Sequence, residues 1–312
     1  MAIYHLAVKT VKRSDGQSAV GSAAWHARET LYDERLGKKH RYGHFRDLAD
    51  SEILIPENAP DRLKDRTILW NEVERFEKRK DAQLARVIEI SLPVELNWEQ
   101  RKSLVREFAQ TIFVNEGMIA DIALIEKESN PYATIMLTMR RVTGEGFGQK
   151  EISWNKRSLL LKWREAWANI QNRILKDAGH EVRVDHRSHA ERGIDLEPQI
   201  KIGVTAKYLP GKSDFLKSTK GFERLEEYQR IRRENGERII EDPGRAVTLL
   251  RQKSGVIKRR DLERFAKYYS VDADQYIEVL NALEKCPDLI QTGKDKKGED
   301  LYSIREMEEA RS

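Results

Sequence analysis

Two apolar runs, MIADIALIEK (118–127) and YATIMLTMRR (132–141), flank the turn sequence ESNP. Short apolar runs bounded by turn residues read as paired strands. A lone hairpin is marginal in water and needs more strands or helices to cover it, so this pair constrains the chain more than any other feature. AIYHLAVKT (2–10) alternates like a half-buried strand, and ARVIEISLPV (85–94) reads as another that stops at Pro93. Helical patterns run over 61–80, 97–117 and 155–179. Asn97 caps the second and Gly117 ends it; the third gathers Leu160, Trp163, Ala166, Trp167, Ile170 and Ile174 on one face and ends at Gly179. Residues 33–60 read as a polar, basic loop.

The spacing also predicts a helix over 18–32, started by Asp15, Gly16 and Ser18. Val20, Ala23 or Ala24, Ala27 and Leu31 form its apolar stripe. Trp25 falls about 140° round from Val20, off that stripe. Trp70, Trp98, Trp163 and Trp167 sit on amphipathic patterns and read as core.

Hydrophobic residues make up 39% of the 312 and charged residues 35%, enough apolar content for a core. No run approaches the roughly 18 apolar residues of a membrane span, and the start lacks a signal-peptide pattern. One cysteine, Cys286, excludes an intrachain disulfide. Together these favour a cytoplasmic protein with no membrane partner and no small-molecule substrate. The net charge of +5 decides little, but KKHRYGHFR (38–46), KRRDLER (258–264) and KDKKG (294–298) are local basic clusters that suit a phosphate backbone.

Residues 190–222 read as loop and linker, and 223–241 as a charged, mostly solvated helix. From Pro243 three helical segments precede a hairpin around a basic turn, the pattern of a winged helix-turn-helix. The domains expected are 1–200, a linker with charged helix over 201–242, and 243–312.

MAIYHLAVKTVKRSDGQSAV, KRKDAQLARVIEISLPVEL, NPYATIMLTMR, WREAWANIQNRILKDAGHEVRVDHRS and ERGIDLEPQIKIG resemble the MobA/MobL relaxase family, above all the relaxase half of Ti-type conjugative relaxase-helicases. The C-terminal stretch resembles the segment that precedes the helicase in those longer proteins. The resemblance implies an α+β fold of the HUH endonuclease type, an antiparallel sheet flanked by helices, followed here by the winged-helix-like domain. It implies a tyrosine on the first helix that attacks a phosphate at a transfer origin. It also implies a divalent metal held by two histidines at i and i+2 of a strand and a third from the preceding strand.

The chain departs from the family at each of these positions. Trp25 stands at the nucleophile position, Tyr132 and Thr134 at the histidine pair, and Ile125 at the third histidine, allowing for a turn shorter by one residue. Val87 and Glu89 stand where the family has two same-face carboxylates. Indole has no nucleophilic oxygen, and hydrocarbon side chains ligate nothing. No catalytic residue and no metal or other cofactor is therefore expected. Tyr32 and Tyr132 are the other phenols weighed as substitutes, and neither has an evident activator.

Asp185, His186 and His189 have metal-like spacing, but DHRS also occurs in the family beside its separate histidine triad, so they read as hydrogen-bonding residues. His40 and His44 read as phosphate-proximal or solvated. What remains is charge and aromatic surface. Lys9, Lys12, Arg13, Trp25, His26, Lys38, Lys39, Arg41, Arg46, Arg140 and Arg141 are the candidate nucleic-acid contacts. The reading is a relaxase-like protein of a conjugation system that binds hairpin or single-stranded DNA without nicking it. The alternatives are an active relaxase with a rearranged site and a protein-interaction scaffold that uses residues 223–312.

Overall fold

The structure, a computed structural model, describes residues 4–127, 130–200, 219–251 and 256–305. The chain divides into two compact units, Met1–His186 and Arg187–Ser312. No helix among the described residues is long and apolar enough to cross a membrane.

The first unit is built on a five-stranded antiparallel sheet. Its strands are β1 (Leu6–Lys12), β4 (Leu48–Leu54), β5 (Gln83–Ser91), β6 (Ala120–Ile125) and β7 (Tyr132–Thr138), in the order β1-β5-β7-β6-β4. Two further hairpins stand apart, β2 (Thr30–Asp33) with β3 (Lys38–Arg41), and β8 (Arg140–Thr143) with β9 (Gly146–Lys150). Strand side chains alternate between faces. Ile88, Ile90, Ile122, Leu124, Ile135 and Leu137 therefore share one face and pack on α3 (Trp98–Ala109) and α4 (Arg157–Asp177) through Phe108, Trp163 and Trp167. Val87 and Met136 face the other way, toward α1 (Ala19–Ala27) and α2 (Arg66–Phe76), with Val20, Leu69 and Trp70.

The hairpin strands, β5 and the capped helices lie where the sequence places them. Asn97 forms a capping box with Gln100. The helix predicted over 97–117 ends as an α-helix at Ala109 and continues as one wider turn to Val114. The helix predicted over 18–32 stops at Ala27. Arg28 takes the left-handed conformation, φ 55°, and turns the chain into β2. Leu31 is buried as a strand residue, and Tyr32, next along β2, points out. Residues 33–60 contain β3 and β4 and are not only loop.

Polar residues also tie α2 to the sheet. Arg66 donates to both Asp121 oxygens at 2.8–3.0 Å, and Trp70 Nε1 donates to Asp121 at 2.8 Å. Arg66 also pairs with Glu29, in the turn after α1. The Arg66 and Asp121 side chains are both buried.

The second unit gathers α5 (Thr219–Glu241), α6 (Gly244–Arg251), α7 (Arg259–Tyr268) and α8 (Ala273–Glu284) with a three-stranded antiparallel sheet. That sheet is β10 (Ile257–Lys258), β12 (Asp300–Ile304) and β11 (Leu289–Lys294), in that order. Its core includes Ile239, Leu250, Phe265, Val279 and Leu283, and also Ile194 and Leu196 from the stretch the sequence assigns to the first domain. Nor is α5 simply solvated: Ile231, Asn235 and Ile239 are buried, and the Asn235 amide exchanges two 2.8 Å hydrogen bonds with the Glu197 backbone.

Removing one partner of a buried ion pair strands the other charge and costs about 3–5 kcal/mol. Asp121→Ala is expected to destabilise the first unit by that amount. All six tryptophans lie in this unit, so the urea midpoint of the full chain followed by tryptophan fluorescence reads it directly. An unchanged midpoint contradicts the assignment.

Candidate nucleic-acid interface

A cavity of about 400 Å³ opens between α1 and the sheet. Its floor is the α1-facing side of β1 and β5, with Lys9, Val87 and Glu89. Lys9 Nζ and Glu89 are paired at 2.7 Å. Its wall is α1, with Ser18, Gly21, Trp25 and His26, and its rim carries His40 and Tyr42.

The wall stands where it does because Ser18 caps α1, accepting from the Gly21 N–H at 3.1 Å, while its own hydroxyl donates to buried Asp33. Burial alone would raise the Asp33 carboxyl. Hydrogen bonds from Ser18, the Leu36 N–H and His40, with the Arg35 charge, hold it below the usual carboxylate range instead. Gly21 is needed for close approach: a Cβ there would lie 2.8 Å from His40 Cε1.

Trp25 is 41% exposed, whereas Val20 and Ala24 on the same helix are fully buried. The off-stripe geometry predicted for it is present. The Arg28 guanidinium lies 4.4 Å over the indole, and Tyr42 and Phe45 meet it at 5.2 and 5.3 Å in edge-to-face contacts. Arg28 is itself held by Asp47 at 2.9 and 3.2 Å and donates to the Trp25 carbonyl at 2.6 Å. The sequence analysis singled out none of Arg28, Tyr42, Phe45 and Asp47. The signal was the interleaving of aromatic and basic residues in RYGHFR (41–46).

Beside the cavity, the alternation of β7 puts Tyr132 and Thr134 on one face. Ile125 lies directly opposite Tyr132, and Glu89 directly opposite Thr134. Ile125, Val87 and Thr134 are buried. The Thr134 hydroxyl has no hydrogen-bond partner. Burial raises the Tyr132 phenol above its ordinary value, and Asp47 and Glu89 add to that against the opposing Arg28 charge. A phenol so placed stays protonated at neutral pH. The side chains at the three histidine positions do not fit a divalent metal: Ile125 is hydrocarbon, Tyr132 and Thr134 are neutral hydroxyls, and the nearby Glu89 carboxylate is paired with Lys9. No three His, Cys, Asp or Glu residues among those described are grouped to hold one.

The remaining candidates separate. Lys12, Lys38, Lys39, Arg41 and Arg46 are exposed and do not line the cavity. Arg13 and Arg140 are engaged inside the fold: Arg13 with Glu74 at 2.6 Å, Arg140 with Glu77 at 2.8 Å. Arg141 lines a different cavity. His44 stacks on Phe45 at 4.2 Å, and His189 bonds the Leu196 carbonyl.

Among the residues that line the cavity, His26 has the most displaced pKa. Burial pushes its pKa down to about 4, with Glu89 and Asp121 opposing only in part. It is therefore neutral at pH 7. The unfolded chain binds this proton near pH 6.5 and the folded chain only near 4, so stability falls as pH drops through that window. The expected loss from this group between pH 7 and 5 is about 2 kcal/mol. His26→Gln should remove that part of the pH dependence of the urea midpoint; an identical dependence in the variant contradicts the account.

A family model described as the MobA/MobL family matches residues 17–212. The chain is 31% identical over 326 residues to the conjugal transfer protein TraA of Agrobacterium fabrum, covering 95% of this chain and 30% of that protein. It is 34% identical over 283 residues to the mobilization protein MobL of Acidithiobacillus ferridurans, covering 79% of this chain and 74% of that protein. A solved structure described as the molecular basis of vancomycin resistance transfer in Staphylococcus aureus is similar with a TM-score of 0.58 and 36% identity, over 60% of this chain and all of that one. The chain thus spans about a third of the length of the TraA protein it matches.

Proposed function

The chain belongs to the MobA/MobL family of relaxase-like conjugation and mobilisation proteins, and from that premise we propose that it binds hairpin or single-stranded DNA without nicking it. One observation carries the reading: the cleft presents an indole where the family's tyrosine would act, and beside it a sec-butyl hydrocarbon and two neutral hydroxyls stand where its histidines would. Indole cannot attack a phosphate, and Ile125, Tyr132 and Thr134 cannot polarise one through a metal. Tyr132 stands at one of the histidine positions, and its raised pKa opposes a nucleophilic role. Tyr42, on the rim, is packed edge-on against Trp25.

What the cleft retains suits binding. Lys9 supplies charge on the floor, and exposed Lys38, Lys39, Arg41 and Arg46 supply it around β3. Trp25, braced by Arg28, offers ring surface to an unpaired base. In the second unit, three helices, α6 to α8, and a small sheet support a winged-helix reading. Asp272, Asp274 and Glu278 at the start of α8 suit contact with a protein better than with phosphates.

Base–aromatic stacking contributes about 1–3 kcal/mol. Trp25→Ala is expected to weaken binding of a single-stranded or hairpin oligonucleotide by that amount in fluorescence anisotropy, with the salt dependence kept. Wild-type protein with no salt-dependent binding to any such DNA contradicts the reading. Equal affinity in the variant removes Trp25 from it.

A further inference from the structure

Arg141, one of the cations expected at the cleft, marks a second site. It lines a cavity of about 340 Å³ that shares no lining residue with the first. Met118, Trp154 and Trp163 form the buried floor, and Arg141, Lys156 and Lys162 stand exposed around it. Glu116 is the one carboxylate among the lining residues. Arg141 meets Glu151 only at 3.7 Å, and Lys156 and Lys162 have no ion-pair partner among the described residues.

This concentration of charge is unfavourable to the fold itself. Lys156 is the N-cap residue of α4, its side chain makes no capping bond, Arg157 follows, and no acidic residue stands in the first turn. The start of a helix carries partial positive charge and favours Asp or Glu. Arg141 is offset in part by Glu151 and by the Trp154 ring at 5.9 Å, whereas Lys156 and Lys162 oppose local stability with no ion pair among the described residues, which points to a function. Trp154 and Trp163 are nearly fully buried, so they offer no ring face to a base. The Ser158 hydroxyl adds a donor, whereas that of Ser153 already donates to Glu151 at 2.7 Å. Such an arrangement suits a phosphate and offers no group that would read a base.

We propose that this cavity is a second backbone site, holding a phosphate of a single-stranded nucleic acid whose other part lies in the Trp25 cleft. The proposal rests on the DNA-binding reading above. The Trp25 cleft lies on the α1 face of the sheet, whereas Met118, Trp154 and Trp163 belong to the core on the opposite, α3/α4 face. A nucleic-acid strand must therefore run the length of β7, roughly 20 Å, and pass round its end, so only a longer strand reaches both.

The test is anisotropy of the full chain with a single strand of about 25 nucleotides over a salt series. The variants are Lys156→Ala/Lys162→Ala and, as a control for lost charge, Lys78→Ala/Lys80→Ala, also exposed lysines. Each single-strand phosphate neutralised contributes about 0.7 to the slope of log K against log salt. The first double variant should lower that slope by about 0.7, the contribution of one phosphate, and weaken binding several-fold, and the control should change it less. If the wild type shows no salt-dependent binding, the DNA-binding reading itself fails. If it binds and the two variants behave alike, only the second site is overturned. Inorganic pyrophosphate that binds wild type but not the first variant, with the DNA slope unchanged, assigns the cavity to a small phosphate and also overturns it.

Discussion

The cleft depends on the chain reversing at Arg28. This is the one residue other than glycine with positive φ among those described. The conformation costs an L-residue roughly 1–2 kcal/mol. Its side chain offsets that cost by pairing with Asp47, donating to the Trp25 carbonyl and lying over the indole. The reversal ends α1 directly after the turn that carries Trp25 and His26. It also sends β2 and β3 back past the helix, bringing His40 and Tyr42 to the rim.

The floor follows from strand alternation. On the face of β5 and β7 toward α1, one end is apolar, with Val87 and Met136, and the other carries Glu89, Thr134 and Tyr132. Roof and floor are held together by charges as well as by packing, through Arg66 with Asp121 and Glu29. A scaffold this completely bonded places its cleft residues reproducibly, whatever their chemistry. In the proposed function, the difference between cutting and holding DNA lies in a few side chains, Trp25, Ile125, Tyr132 and Thr134, and not in the fold.

Much of this was legible in the sequence where the controlling interactions are local. Apolar alternation located β5 and β7, Asn97 marked the start of α3, and helical spacing alone turned Trp25 outward. The end of α1 was not legible, because an arginine fills a left-handed position that usually signals itself with glycine. β3, KKHR, has no apolar residue, and in β4, LADSEIL, the polar run Asp50-Ser51-Glu52 breaks the apolar alternation that marks a strand. Arg13, Arg140 and Arg141 looked alike as cations; only tertiary contacts sort two into Glu74 and Glu77 and the third into a separate cavity. In the same way α5 reads as charged from its composition, and its buried Asn235 shows only once Glu197 is beside it.

The central claim is that this cleft binds DNA and leaves its backbone intact. The most direct measurement incubates the protein with supercoiled plasmid carrying its cognate transfer origin, with magnesium or manganese. It then scores both complex formation and covalent protein–DNA adduct under denaturing conditions. The account predicts a salt-sensitive complex, no relaxed plasmid and no adduct. A relaxed product with a phosphotyrosine-linked protein, at Tyr132 or any other tyrosine, would contradict it.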